Sequence, residues 1–387
     1  MSGISELTDR GIVNRVGVIG AGQLARMMQV PAIELGIKLA VFAESADSSA
    51  ALSATKIGDY TNFDELLEFA ESVDVVTFDH EHVPVALLER LEALGHQVRP
   101  SPAALIHAQN KLTMRRKLTE LGLPQPKWAA AKAASDIEAF LLEHGPKIVV
   151  KTPIGGYDGK GVRVISEVSE VTDWLSALAD IGGELLLEQK VEFVRELAQL
   201  VARRPSGELV TWPVVETRQA NGVCSEVISP APNADSLQTA EIAGTIAEGL
   251  GVTGVMAVEL FETATGEILV NELAMRPHNS GHFSIEASVT SQFEQHLRAV
   301  MDLPLGSTRS RAKFAVMFNL LGVDETNDFV SRYPSAMKKF PEVNFHSYQK
   351  APRKGRKMGH LTLVGDDLEK LVIIGQQARE ALYGPIA

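Results

Sequence analysis

Short apolar runs open the chain, each followed by a stretch in which apolar residues return at helical spacing. Residues 16–19 form such a run, turn through Gly20, Ala21 and Gly22, and continue as QLARMM in helical register; the strands KLAVFAES and DVVTFD follow. This alternation predicts a parallel α/β sheet of Rossmann-like type, with a binding crevice at the carboxyl ends of its strands. The turn has GxGxxA character, so a dinucleotide-binding domain is one reading. It is poorly supported, because Glu44 supplies the ribose-type acid only loosely and only about 105 residues precede the next module.

The segment RPSPAAL, with two prolines, predicts a domain junction. Residues 110–121 then have the spacing of an amphipathic helix, closed by Gly122. Pro124 and Pro126 lead into a smaller unit, 128–188, in which a glycine-rich loop joins the strands KIVVK and GVRVI; the expectation is a mobile lid. Beyond it ELLLEQKV, ELAQLVARR, LVTWPVVET and EVISPA are β-rich, and the helix SLQTAEIAGTIAEGLG precedes the hairpin GVMAVELF, ETATG, EILVNEL. After residue 311 the strands KFAVMFNLLG, VNFHSYQK and MGHLTLVG alternate with turns before a closing helix, which predicts a small C-terminal β-rich domain. The expected units are 1–105, 106–311 and 312–387 of a chain that mixes α/β and α+β architecture.

Composition narrows the partners. The 387 residues are 45% apolar and 22% charged, as in an ordinary globular protein. A net charge of −12 argues against nucleic acid as partner, since neutralising phosphates needs a basic face. Cys224 is the single cysteine, which excludes an internal disulfide and a cysteine zinc cage, and with no base near it the thiol reads as a packing residue. The first residues, MSGISELTDRGIVNR, lack the basic and apolar regions of a secretory signal, and no apolar run reaches the ~18 to 20 residues that span a bilayer. A cytoplasmic protein with no membrane partner is expected.

Two segments carry chemistry. The run Lys151 to Gly161, KTPIGGYDGKG, places a lysine at a strand end and then glycines whose backbone N–H groups can close around an anion without Cβ obstruction. It fits neither GxxxxGK[ST] nor GxGxxG, and a ligand-free glycine hairpin is the plain alternative. The second is the hairpin. An even-numbered connection such as TATG or TG would set Glu259 and Glu272 on one face, with Asn271 beside them as an oxygen donor, a platform suited to Mg²⁺. Directly after it, Arg276 and His278 would face an anion at the terminal phosphate of a nucleotide; His282 reads as structural.

Together the glycine loop, the Glu188–Gln189 segment and the E…NE hairpin resemble the ATP-grasp ligases over nearly the whole chain. Within them GAGQLARMM, LEQKVEFVRE, NELAMRPHNSGH, TSQFEQHLRAVMDLPLG and GRKMGHL are similar to the 5-(carboxyamino)imidazole ribonucleotide synthases of purine biosynthesis. The resemblance implies ATP and two Mg²⁺ ions as cofactors, bicarbonate and 5-aminoimidazole ribonucleotide as substrates, and a homodimer. It implies Lys111 and Lys151 at the ATP phosphates under the loop of Gly156, Tyr157, Asp158, Gly159, Lys160 and Gly161. Glu188, Gln189 and Val191 would line the adenine, Glu196 would hold the ribose, and Glu259 and Glu272, with Asn271 beside them, would hold the metals. Tyr157 and Asp158 would meet the imidazole, while Arg276, His278 and Asn279 would hold bicarbonate and carboxyphosphate. Lys350, Arg356 and Lys357 would clamp the ribonucleotide phosphate.

The chain departs from the family pattern at Ala25 in the first helix and at FDHEHVP, which leaves His80 and His82 without a role. It departs again at Gln219, where relatives often carry histidine. A formate-activating relative, a biotin-dependent carboxylase and a non-catalytic nucleotide-binding regulator are the competing readings.

Overall fold

The computed structural model describes residues 15–155, 161–220, 222–325 and 328–383. Its first unit is a parallel sheet, ordered β3-β2-β1-β4, of β1 (Arg15–Ile19), β2 (Lys38–Ala43), β3 (Ala54–Ile57) and β4 (Val75–Phe78). Every residue of β4 is buried, as a strand covered on both faces requires. The proline-rich junction is helical: Ser101 caps a helix Pro102–Gln109 by accepting from the Ala104 N–H at 3.3 Å, with Pro102 at the first turn. Proline is preorganised there, since its missing N–H would have no intrahelical partner. The next helix, Lys111–Glu120, starts at Asn110, which accepts from the Thr113 N–H, and stops before Gly122 at φ +67°.

A second, antiparallel sheet is ordered β5-β8-β6-β7, from β5 (Trp128–Ala131), β6 (Ile148–Lys151), β7 (Val162–Ile165) and β8 (Leu185–Gln189). Alternation decides its faces. Ile148, Val150, Leu185 and Leu187 enter a core with Ile137, Phe140 and Val171, so Val149, Lys151 and Glu188 turn to the other side.

The remaining strands form one antiparallel sheet: β9 (Phe193–Arg203), β10 (Leu209–Thr211), β11 (Val215–Ala220), β12 (Val223–Ser229), β13 (Gly254–Thr263), β14 (Ile268–Ala274), β15 (Phe314–Leu321), β16 (Asn344–Ser347) and β17 (Lys357–Gly365). Its order is β14-β13-β9-β11-β12-β15-β17-β16, with β10 on β9. The strands after residue 312 therefore extend this sheet through β12 and β15 rather than building a separate one. Val316, Phe318 and Leu320 of β15 pack under the closing helix Leu368–Tyr383, while Ala315 and Met317 face Phe283 and Ala287. Among the described residues no helix is long and apolar enough to cross a membrane.

Candidate active site

Glu259 on β13 pairs directly with Glu272 on β14, but not by the route the spacing suggests. The turn is three residues, Ala264, Thr265 and Gly266, closed by Thr263 N–H to Glu267 O at 3.0 Å with Gly266 at φ +80°. An odd loop would put Glu272 on the opposite face from Glu259. A bulge restores the match: Leu260 pairs with Val270 and Glu259 with Glu272, leaving Asn271 as the extra residue. A bulge re-aims side chains, and here Asn271 and Glu272 both reach the cleft. Burial first, then the charges of Glu272 and Glu196, push the Glu259 carboxyl up to about 7. Mutually repelling carboxylates with a neutral amide oxygen beside them fit a hard cation, which would relieve that repulsion. Among the described residues no three His, Cys, Asp or Glu side chains group closely enough to cage a metal, so ligand oxygens and water would complete its shell.

Lys151 stands at the foot of the glycine loop, where β6 pairs with β7 through Lys151 and Val162. Its ammonium lies 2.8 Å from Glu188 Oε2 and 3.3 Å from Asn271 Oδ1. The other Glu188 oxygen accepts from Arg115 Nε at 2.6 Å, and Arg115 also donates to the Val270 and Asn271 carbonyls. Burial would raise the Glu188 carboxyl, but Lys151 and Arg115 outweigh it and hold the group down at about 2. The Glu188 carboxylate is thus turned inward as a fixed counter-charge that orients Lys151. Lys111, at the start of its helix, is paired with Glu272.

Arg276 and His278 follow β14. Glu81, from the first unit, accepts from the Met275 N–H at 2.6 Å and from Arg276 Nε at 3.2 Å, while Gln109 holds the Glu81 and Val83 carbonyls. His278 Nδ1 meets Ser280 Oγ at 2.9 Å, and Nε2 stands 3.3 Å from Glu259 Oε1. Burial, then Arg276 and Lys357, hold the His278 imidazole well below its usual range. It is neutral at neutral pH.

Of these groups Lys151, Glu188, Asn271, Glu259, Glu272 and His278 share a cleft of about 650 Å³, lined also by Gln189, Val191, Glu196, Asn279 and Lys357; Arg276 and Lys111 are not among its lining residues. Gln219, on the bulged β11, donates to Glu196 Oε2 at 2.7 Å. Phe193 and Phe261 stack at 4.6 Å on the same wall. Cys224 is a wall residue as well as a packing one, with burial pushing its thiol up to about 12. The basic run is divided. Lys357 lines the cleft, Lys350 reaches Gln23 in the first unit, and Arg356 donates to the Ala351 carbonyl. Gly161 is at φ +69°, its carbonyl accepting from Thr152 N–H; Gly156, Tyr157, Asp158, Gly159 and Lys160 lie outside the described residues.

Residues 116–293 match the ATP-grasp domain, residues 13–109 the ribonucleotide synthetase preATP-grasp domain, and residues 315–372 the phosphoribosylaminoimidazole carboxylase C-terminal domain. The N5-carboxyaminoimidazole ribonucleotide synthase of Corynebacterium ammoniagenes is 50% identical over 364 residues, 92% of this chain and 88% of the relative. The chain belongs to the N5-carboxyaminoimidazole ribonucleotide synthase family. The synthase of Mycobacterium tuberculosis is 47% identical over 363 residues, covering 92% of this chain and 85% of that relative. A crystal structure of N5-carboxyaminoimidazole synthase from Aspergillus clavatus, in complex with ADP and 5-aminoimidazole ribonucleotide, has a TM-score of 0.86 at 28% identity, covering 96% of this chain and 99% of that one. The synthase family is one of ATP-grasp ligases, and its architecture is the expected one: a preATP-grasp parallel-sheet domain, an ATP-grasp domain and a C-terminal domain.

In this synthase-family chain the GxGxxA helix start is filled from within. Asp79 accepts from the Gly22 N–H at 2.9 Å and the Ala25 N–H at 2.7 Å, occupying the place a pyrophosphate would take in a dinucleotide domain. A Cβ on Gly22 would stand 2.1 Å from Asp79 Oδ2, so the glycine serves the carboxylate. Sequence reasoning misses Arg115, Glu81 and Phe193. A signal existed for Arg115 alone, since it falls on the apolar stripe of Leu112, Met114 and Leu118 that the helix buries.

Proposed function

We propose that the protein uses ATP and bicarbonate to carboxylate the exocyclic amine of 5-aminoimidazole ribonucleotide, giving N5-carboxyaminoimidazole ribonucleotide by way of carboxyphosphate, in de novo purine biosynthesis. The observation that carries this reading is the convergence of Glu259, Glu272, Lys151 and His278 on one cleft. It is supported by the ADP and aminoimidazole ribonucleotide held by the Aspergillus clavatus relative.

A bicarbonate oxygen attacks the γ-phosphorus of ATP, and the bond to ADP breaks. The amine nitrogen then takes the carboxyl carbon, either directly from carboxyphosphate with departure of inorganic phosphate or from the CO₂ that carboxyphosphate releases, with inorganic phosphate, beside the amine, and the nitrogen loses a proton. Phosphoryl transfer depends mainly on position and charge. Lys151, fixed by Glu188, and Lys111 meet the polyphosphate, which the amides of the loop from Gly156 to Gly161 would bind. Gln189 and Val191 take the adenine rim and Glu196 the ribose. Mg²⁺, as two ions held by Glu259 and Glu272 with Asn271 beside them, would supply charge neutralisation at the transferring phosphoryl group.

Arg276, oriented by Glu81, and neutral His278 with Asn279 hold bicarbonate and carboxyphosphate. Tyr157 and Asp158 align the imidazole, and Lys350, Arg356 and Lys357 take the ribonucleotide phosphate. Closure of the 128–188 unit keeps water from carboxyphosphate. The same reading makes the protein a cytoplasmic homodimer of units 1–105, 106–311 and 312–387.

The test is ADP release with bicarbonate, comparing aminoimidazole ribonucleotide with glycinamide ribonucleotide plus formate. Stimulation by the first pair alone is expected. Stimulation by the second would transfer the site to the formate-activating relatives.

A further inference from the structure

Gln292 is the first residue of the helix Gln292–Val300, capped by Ser291, and its side chain is fully buried. Its amide does not complete the helix; it reaches into the segment that follows β14. Oε1 accepts from the His278 backbone N–H at 2.8 Å, and Nε2 donates to the His278 carbonyl, also at 2.8 Å. The amide thereby grips both main-chain groups of one residue, as a neighbouring strand would. The second Nε2 hydrogen meets His282 Nδ1 at 2.9 Å.

The surrounding chain is shaped to this amide. A Cβ on Gly281 would fall 2.3 Å from Gln292 Oε1 and 2.5 Å from Leu200, so only glycine lets the loop close around it. Ser284 Oγ donates to the Gly281 carbonyl at 2.6 Å and accepts from the Gln292 N–H at 2.9 Å, tying the two ends of the segment. On the far side of the grip, the His278 ring is 3.3 Å from Glu259 Oε1.

We infer that Gln292 is a positioning residue for His278, setting through the backbone of that residue where its imidazole stands against Glu259. The inference rests on the proposed role of His278 at bicarbonate and carboxyphosphate. It requires both an acceptor and two donors at one side-chain end, which glutamine has. Glutamate, of the same shape, has no donor when ionised and would set a carboxylate against the His278 carbonyl.

The experiment is a double-mutant cycle read as ADP release and product formation, with Gln292→Glu and Gln292→Met each made alone and with His278→Ala. Alone, either change lowers kcat by at least about tenfold with little change in KM for ATP, because the misplaced group acts after ATP binds. In the His278→Ala background either change costs less than about twofold, since a residue that acts only through His278 has nothing left to place. A multiplicative loss in the double variants overturns the inference, as does a loss confined to KM for ATP. So does failure of both single variants to yield folded protein, which would make the amide a structural clamp only. Wild-type protein whose ADP release ignores aminoimidazole ribonucleotide would instead overturn the reading of the reaction, independently of the cycle.

Discussion

Glu188 is a carboxylate buried to 2% exposure. Held between Lys151 and Arg115, it neutralises one cation on the cleft wall and another that is wholly buried. Removing one partner of a buried ion pair costs about 3 to 5 kcal/mol because the other charge is left uncompensated. Glu188→Gln should therefore lose that much unfolding free energy in a urea titration. A loss of under about 1 kcal/mol would mean that the carbonyls of Val270 and Asn271 suffice for Arg115. Arg276 is predicted to act on the phosphoryl step: Arg276→Ala should cut ADP release by about 10²- to 10³-fold, with product falling in parallel. Normal ADP release with lost product would place it on the amine's side of the reaction.

At the scale of the element, two helical glycines show how packing overrides propensity. Gly244 lies inside the helix Ser236–Gly249 with nothing within 4 Å of where a Cβ would go. Gly375 lies inside Leu368–Tyr383, where a Cβ would be 2.1 Å from the ring of Phe318, a residue fully buried on β15. Alanine in a helix is favoured over glycine by about 0.5 to 1 kcal/mol. Overpacking a core costs about 1 to 3 kcal/mol. Gly244→Ala should thus raise the thermal midpoint and Gly375→Ala lower it. The same sign for both would show that the closing helix can shift on the sheet.

For the whole molecule, burial of histidine sets the response to acid. His282, His296 and His360 are fully buried, and burial holds His296 down at about 3 and the other two well below the usual 6.5. His80, at about 4, and His278 are lowered by the same cause. A histidine kept neutral binds a proton only in the unfolded chain over this window. Stability therefore falls as pH falls below about 6.5, by up to ~1.4 kcal/mol per pH unit for each group. Glu259, raised to about 7, acts with the opposite sign, as do Glu92, Glu196 and Glu226, which burial also raises, but of these Glu259 is the one raised by a large amount, and His107 adds a sixth lowered imidazole to the other side. Glu188 keeps its contribution until pH falls through its own depressed range. In EDTA the thermal midpoint should drop steadily from pH 7 to 5; a flat profile would mean that the histidines take up protons without unfolding.

The sequence by itself determined what short-range chemistry decides. Apolar runs made strands, Asn110 made a helix start, Gly122 made a stop, and glycines after Lys151 marked a loop between two strands. It also placed Glu259 and Glu272 together, but by assuming an even turn. Their pairing in fact depends on the bulge at Asn271, and one residue of register flips every side chain to the other face. Tertiary structure alone decided that Asp79 would fill the first helix's anion site, since it is the residue just past β4, 57 positions from Gly22. It alone set Glu81 against Arg276, 195 residues on, and ran β15 into the same sheet as β12. Such contacts join positions with no spacing rule between them, because a carboxylate buried in one unit takes whichever donor the packing brings to it.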